Sequence, residues 1–187
     1  SSDVCSSDLD YRDLQVDMDY FYAQIAQGGV PRSSQPPLGE FLETYKRHQG
    51  EKILNISMAD GLSGTYLSAC SAKDMAENRD DIVVYNSRTL CGPHRYLVMK
   101  ANEMARQGAK MEEIVRALDE CLMHCESFLL VQDFEFLRRG GRLTPLAAKF
   151  SSALQVKPIM QQTADGKRLD AFGISRTIKG AAKKVMH

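Results

Sequence analysis

The chain has 187 residues, 43% hydrophobic and 26% charged, as expected for a globular protein of one large domain or one domain and part of a second. Its 24 Lys and Arg balance 24 Asp and Glu, so charge offers no case for nucleic acid or for an anionic membrane surface. No apolar run approaches the roughly 20 residues of a membrane span, so no stable membrane insertion is expected. Five irregularly spaced Cys fit reduced thiols in a cytoplasmic protein better than a disulfide framework.

The first ten residues, SSDVCSSDLD, show no periodicity and no signal-peptide pattern, and read as a non-native segment set aside from the fold. Residues 13–29 carry Phe21 and Ile25 at helical spacing, with Gly28-Gly29 as a stop. Pro31, Pro36 and Pro37 then force an extended loop, because Pro fixes its own φ and keeps the preceding residue out of the helical region. From Leu38 the spacing Leu38, Phe41, Leu42, Tyr45 predicts one face of a helix ending at Gly50. KILNIS (52–57) is a strand leading into a Gly- and Ser-rich turn, and a helix follows from about Thr65 to Asn78.

DIVVYN (81–86) is a second strand, with a polar loop at Asn86-Ser87-Arg88-Thr89. Helices over about 93–107 and 110–125 are divided by Gly108, and FLLVQ (128–132) is a third strand. A short helix, a Gly-Gly turn and a second helix from about Thr144 come next. VKPIM and RLDAFGIS form strands joined around Asp165-Gly166, the strongest local hairpin signal, and a basic helix begins at Thr177. The alternation predicts an α/β fold with a mostly parallel sheet flanked by helices. An N-terminal α/β domain over 11–132 and the start of a second α/β domain over 133–187 are expected. The chain reads as truncated at both ends, with the first strands of the N-terminal domain missing.

The turn MADGLSGTYLSA (58–69) carries the most chemistry. Ligands of open α/β sheets bind beyond the carboxyl ends of strands, where helix N-termini offer free N–H groups. Ser63 and Thr65 add hydroxyls there, so an N-cap, a phosphate cradle, a nucleophile and an anion clamp all remain open. The P-loop pattern G-x-x-x-x-G-K-[ST] is absent, and Ser63 is not in a G-x-S-x-G elbow. None of the four His has a spacing that nominates it as a base for Ser63. Cys121, His124 and Cys125 share one side of a helix but have no further ligand to complete a tetrahedral site, so no metal is expected. FLRRGGR (136–142) is a basic cluster in which Arg139 and Arg142 suit an anion or a partner's acidic face.

Five stretches in order, PRSSQPPLGEF, NISMADGLSGTYLSA, VVYNSRTLCG, VQDFEFLRRGGRLTPLAA and VKPIM, resemble the marker segments of the DegV family over about 11–185. The resemblance implies a DegV-like fold of two α/β domains and a lipid-binding carrier with no catalytic residues. It implies no cofactor other than a bound long-chain fatty acid. It further implies that the acyl carboxylate is presented to a fatty acid kinase subunit for acyl phosphate formation. By motif, Ser33 and Ser34 (with Ser33 where the family usually has Thr) and Ser63, Gly64 and Thr65 stand as the carboxylate contacts. A hydroxyl pair at a helix N-terminus can hold such an anion without a full counter-charge. Asp60 departs from the family wording and places a carboxylate near that site. The alternative is a hydrolase or transferase acting on an anionic substrate at the Ser63 loop, which requires a base beside Ser63.

Overall fold

Side-chain caps mark where several helices begin. Asp17 accepts from Tyr20 N at 3.0 Å to open α1 (Met18–Ala26), and Asp133 accepts from Phe136 N at 2.9 Å to open α6 (Phe134–Arg139). Thr177 accepts from Gly180 N at 3.0 Å to open α7 (Ile178–Val185). The computed structural model describes residues 3–6, 9–12, 16–29, 31–149 and 157–186. The other elements begin with β1 (Asp3–Ser6) and β2 (Leu9–Arg12) ahead of α1, then β3 (Arg32–Ser34), α2 (Leu38–Arg47), β4 (Ile53–Ser57) and α3 (Thr65–Met75). They are followed by β5 (Ile82–Asn86), α4 (Cys91–Arg106), α5 (Met111–Met123), β6 (Phe128–Leu130), β7 (Lys157–Gln162) and β8 (Leu169–Ser175).

The chain forms two compact units that interleave in sequence: residues 1–53 with 67–83, and residues 54–66 with 84–187. Their division therefore does not follow the chain-order boundary expected at 132/133. In the first unit, β1 pairs antiparallel with both β2 and β3, setting Val4 opposite Tyr11 and Ser33. β1 and the first half of β2 fall in the segment set aside as non-native; strands of four residues are too short for period-two patterning to register. The predicted face of α2 is realised, with Leu38, Phe41 and Leu42 half-buried and Tyr45 fully buried. Tyr45 donates to Ala69 O at 3.4 Å, and Asn78 Nδ2 donates to Tyr45 O at 3.2 Å.

The second unit has two hydrophobic centres. In one, Tyr85 of β5 packs with Leu97 and Ala101 of α4 and with Ile114 and Leu118 of α5. Tyr85 donates to Asp119 Oδ1 at 2.9 Å; burial first, and the Asp119 carboxylate second, push its phenol well above the ordinary range. The other centre gathers Ala59, Leu62, Val131, Phe134, Leu143, Met160 and Leu169. Ser87 N donates to Ser57 O and Ala59 N to Thr89 O, so β4 and β5 advance together as a parallel pair does. The third sheet runs β6-β7-β8 and is antiparallel throughout.

The α/β class stands, but among the described residues parallel pairing of named strands is confined to β4 and β5. The expectation of a mostly parallel sheet is corrected because β1, β2 and β3 pair antiparallel and the Asp165-Gly166 turn folds β8 back on β7. The helix expected from Thr144 is a 3₁₀ turn at Ala147–Lys149, capped by Thr144 Oγ1 at 3.1 Å from Ala147 N; its continuation lies outside the described residues. Leu118 has no exposed surface at the α4–α5 contact. Leu118→Ala is expected to lower unfolding free energy by about 2–5 kcal/mol, read as a fall in the urea midpoint at constant slope.

Candidate functional site

The chain between β4 and α3 makes a tight turn over 59–65. Leu62 N and Ser63 N both donate to Ala59 O, at 3.0 and 3.2 Å, while buried Ala59 and Leu62 anchor the turn in the core. Ser63 Oγ lies 2.7 Å from Thr65 Oγ1 and accepts from Thr65 N at 3.3 Å. The two hydroxyls therefore meet at the first residue of α3, half-buried, with Gly64 between them. Among the described residues no His, Asp or Glu is hydrogen-bonded to Ser63 Oγ, whose partners come from Thr65. A hydroxyl pair at a helix start can donate to an anion, but without a base it is not an activated nucleophile.

The rest of the turn is fastened from far along the chain. Arg168 Nη1 donates to Gly61 O at 2.6 Å, and Arg142 Nε donates to Leu62 O at 3.2 Å. Arg142 also donates to Gly140 O. A Cβ at Gly61 would run into the backbone of Lys167, so only glycine allows the β7–β8 turn to approach this closely. The same β7–β8 connection holds the loop after β5. Gln162 Nε2 donates to Arg88 O at 2.9 Å, and a Cβ on Gly166 would stand 2.6 Å from that oxygen. Arg88 itself sits at φ 47°, an uncommon conformation for a residue with a side chain, and Asn86 Oδ1 accepts from its N–H at 3.0 Å.

The remaining sequence-selected residues are distributed as follows. Ser33 and Ser34 are exposed on β3 of the first unit, and the neighbouring Gln35 Nε2 donates to Ser68 Oγ at 2.8 Å. Ser63, Gly64 and Thr65 belong to the second unit. Arg139 is exposed with Nε on Glu135 O at 3.3 Å, while Arg138 pairs with Glu135 at 2.8 Å. Burial, and then neighbouring Cys121, raise the Cys125 thiol above its usual value. Among the described residues no group of three or more His, Cys, Asp or Glu could hold a metal. No helix there is long and apolar enough to cross a membrane.

Two features escaped the sequence reading. Arg168 gave no local signal, since its partner lies 107 positions away. His94 Nδ1 sits 2.9 Å from Ser87 Oγ, a fully buried hydroxyl that also reaches Thr89 O at 3.3 Å. This pair ties the start of α4 to the loop after β5. Two openings in the second unit border the loop after β5. One, of about 730 Å³, is mostly polar and lined by Arg88, Thr89, Ser127, Gln162 and Asp170 among others. The second, of about 310 Å³, is apolar, with Leu90, Pro93, Phe128, Leu129, Leu169 and Val185 on its walls.

These features define an α/β protein with a paired-hydroxyl turn at a strand-to-helix junction. A family model described as "Uncharacterised protein, DegV family" matches residues 2–187, and the chain belongs to that family. It is 32% identical over 180 residues to Protein DegV of Bacillus subtilis, covering 94% of this chain and 63% of that protein. The crystal structure of DegV from Bacillus subtilis, a fatty acid binding protein, superposes with a TM-score of 0.82 at 30% identity, covering 99% of this chain and 66% of that one. A DegV-family structure from Ruminococcus gnavus with vaccenic acid gives 0.84 at 25% identity, covering 98% and 66%. The chain spans about 63% of the length of its Bacillus subtilis relative.

Burial depresses the His94 pKa below its ordinary 6.5, so the folded state holds the ring neutral where the unfolded chain already takes a proton. Its contribution to stability is complete above 6.5 and is lost as pH falls towards the folded value. The urea midpoint is expected to fall on acidification below that point, and His94→Gln is expected to flatten part of this decline. An unchanged pH profile in the variant excludes His94 as a source.

Proposed function

We propose that this chain is a non-enzymatic, cytoplasmic carrier that binds a long-chain fatty acid and holds its carboxylate at the Ser63–Thr65 turn. The observation that carries the reading is the paired Ser63 and Thr65 hydroxyls, 2.7 Å apart at the start of α3. Two aligned hydroxyls at a helix start suit a carboxylate better than a neutral head group. Family membership and the fatty acid bound by the Bacillus subtilis relative support the same ligand class. The apolar opening of about 310 Å³ adjoins Leu90, Leu129 and Leu169, which pack in the cluster that contains Leu62. A tail buried there contributes about 0.8 kcal/mol per methylene before the cost of ordering it.

The finer reading is that the bound carboxylate is offered to a separate fatty acid kinase, which transfers a phosphoryl group from its own nucleotide to form the acyl phosphate. Exposed Arg139, with much of its guanidinium uncommitted, suits a contact with that partner or with the transferred group. Arg142 is already engaged with two backbone carbonyls, and its contribution to such a contact is secondary. Ser33 and Ser34 extend the proposed set of hydroxyl contacts on the strength of the motif, and their exposure leaves them open to a ligand. Among the described residues no base is hydrogen-bonded to Ser63, which disfavours the hydrolase or transferase alternative.

The purified protein is expected to release long-chain fatty acid on organic extraction, identified by mass spectrometry, in near-stoichiometric amount. Ser63→Ala is expected to weaken binding of added vaccenic acid about tenfold, the scale of one hydrogen bond to a charged group. Folded protein that neither carries nor takes up an acyl chain rules the reading out.

A further inference from the structure

The turn that holds Ser63 is itself held by two arginines, and the register of the chain explains why both arrive together. Leu143 bridges Leu169 in a short parallel contact, with Leu169 N on Arg142 O at 2.9 Å and Thr144 N on Leu169 O at 2.8 Å. In a parallel pair, residues one step before the bridged pair share a face. Leu143 and Leu169 are buried in the core, so Arg142 and Arg168 emerge side by side on the opposite face. Their guanidiniums take consecutive carbonyls of the turn, Leu62 O and Gly61 O. Gly61 admits the approach by lacking a Cβ.

We infer that Arg142 and Arg168 form a clamp that positions the Ser63–Thr65 hydroxyls for a carboxylate, with Arg168 a positioning residue for binding. The inference rests on the fatty-acid reading proposed above. Charge-assisted bonds to Gly61 O and Leu62 O fix the two peptide planes just before Ser63. Rotation of those planes would move the Ser63 hydroxyl off its 2.7 Å partner Thr65. Both guanidiniums also bring positive charge beside the turn, which favours an anionic head group over a neutral one. Arg168 is exposed, so its own contribution to core packing is small and a substitution there reports on the turn.

The test is titration of delipidated protein with vaccenic acid, using wild type, Ser63→Ala, Arg168→Met, Arg142→Met and the Ser63→Ala/Arg168→Met double variant. Methionine keeps an apolar stem and removes the guanidinium. The urea midpoint of each variant is measured in parallel. Arg168→Met is expected to weaken binding about tenfold with little change in midpoint, and Arg142→Met to act in the same direction. In the Ser63→Ala background the further loss from Arg168→Met is expected to shrink below about twofold, because both changes remove one arrangement. Equal losses in both backgrounds overturn the clamp, since Arg168 then acts independently of Ser63. Full affinity in Arg168→Met, with Ser63→Ala still weakened, overturns the clamp and leaves the carrier reading standing. Full affinity in Ser63→Ala removes the carboxylate assignment and the clamp with it.

Discussion

Two backbone carbonyls, Gly61 O and Leu62 O, set the constraint from which much of the second unit follows. They belong to a turn between a strand and a helix, where no ladder supplies partners for them. Buried or half-buried carbonyls left unpaired are costly, so partners must come from elsewhere in the chain. They come from Arg168 and Arg142, 107 and 80 positions away. For both guanidiniums to reach them, the segment around Leu143 must lie alongside β8 and the β7–β8 turn must press against Gly61. Those requirements help fix the positions of Leu143 and Leu169 in the core that also holds Leu62 and Ala59.

The same β7–β8 connection also braces the loop after β5. Gln162 donates to both Arg88 O and Gly166 O, and Gly166 sits against Arg88 at φ 74°. The carboxyl ends of β4 and β5 are thus secured by one short hairpin. The strain of left-handed Arg88 is sustained by Asn86, Gln162 and the close-packed glycine around it. His94 and buried Ser87 add a third tie from α4 to the same loop.

Legibility in the sequence followed the range of the interaction. Helical faces such as Phe41 and Tyr45, the Asp165-Gly166 hairpin and the strand-to-helix turn at 58–65 depend on neighbours a few residues away. Local pattern was enough for these. β1 and β2 were invisible because four-residue strands carry no usable period, and the pairing sense of the sheets depends on partners chosen across the chain. Arg142 illustrates the division well. In FLRRGGR it resembled its neighbours, an arginine suited to an external anion, yet the fold commits it to the Leu62 and Gly140 carbonyls and leaves much of the Arg139 guanidinium uncommitted. Arg168 had no local signature at all. A single arginine after a hairpin turn means nothing until the hairpin has a neighbour.

The clamp also bears on Asp60, the residue of this turn that suits a carboxylate site least. A carboxylate next to another is repelled, and more strongly as solvent is excluded. Asp60 immediately precedes the carbonyl that takes Arg168, and Leu62 O takes Arg142 one residue further on. Two cations therefore accompany the one acid within three consecutive residues. Their fields oppose that of Asp60 on any anion at Ser63 and Thr65, so the hydroxyl pair need not supply a counter-charge. Removing either guanidinium takes positive charge away from the turn, and an anionic head group there would feel this before the core did.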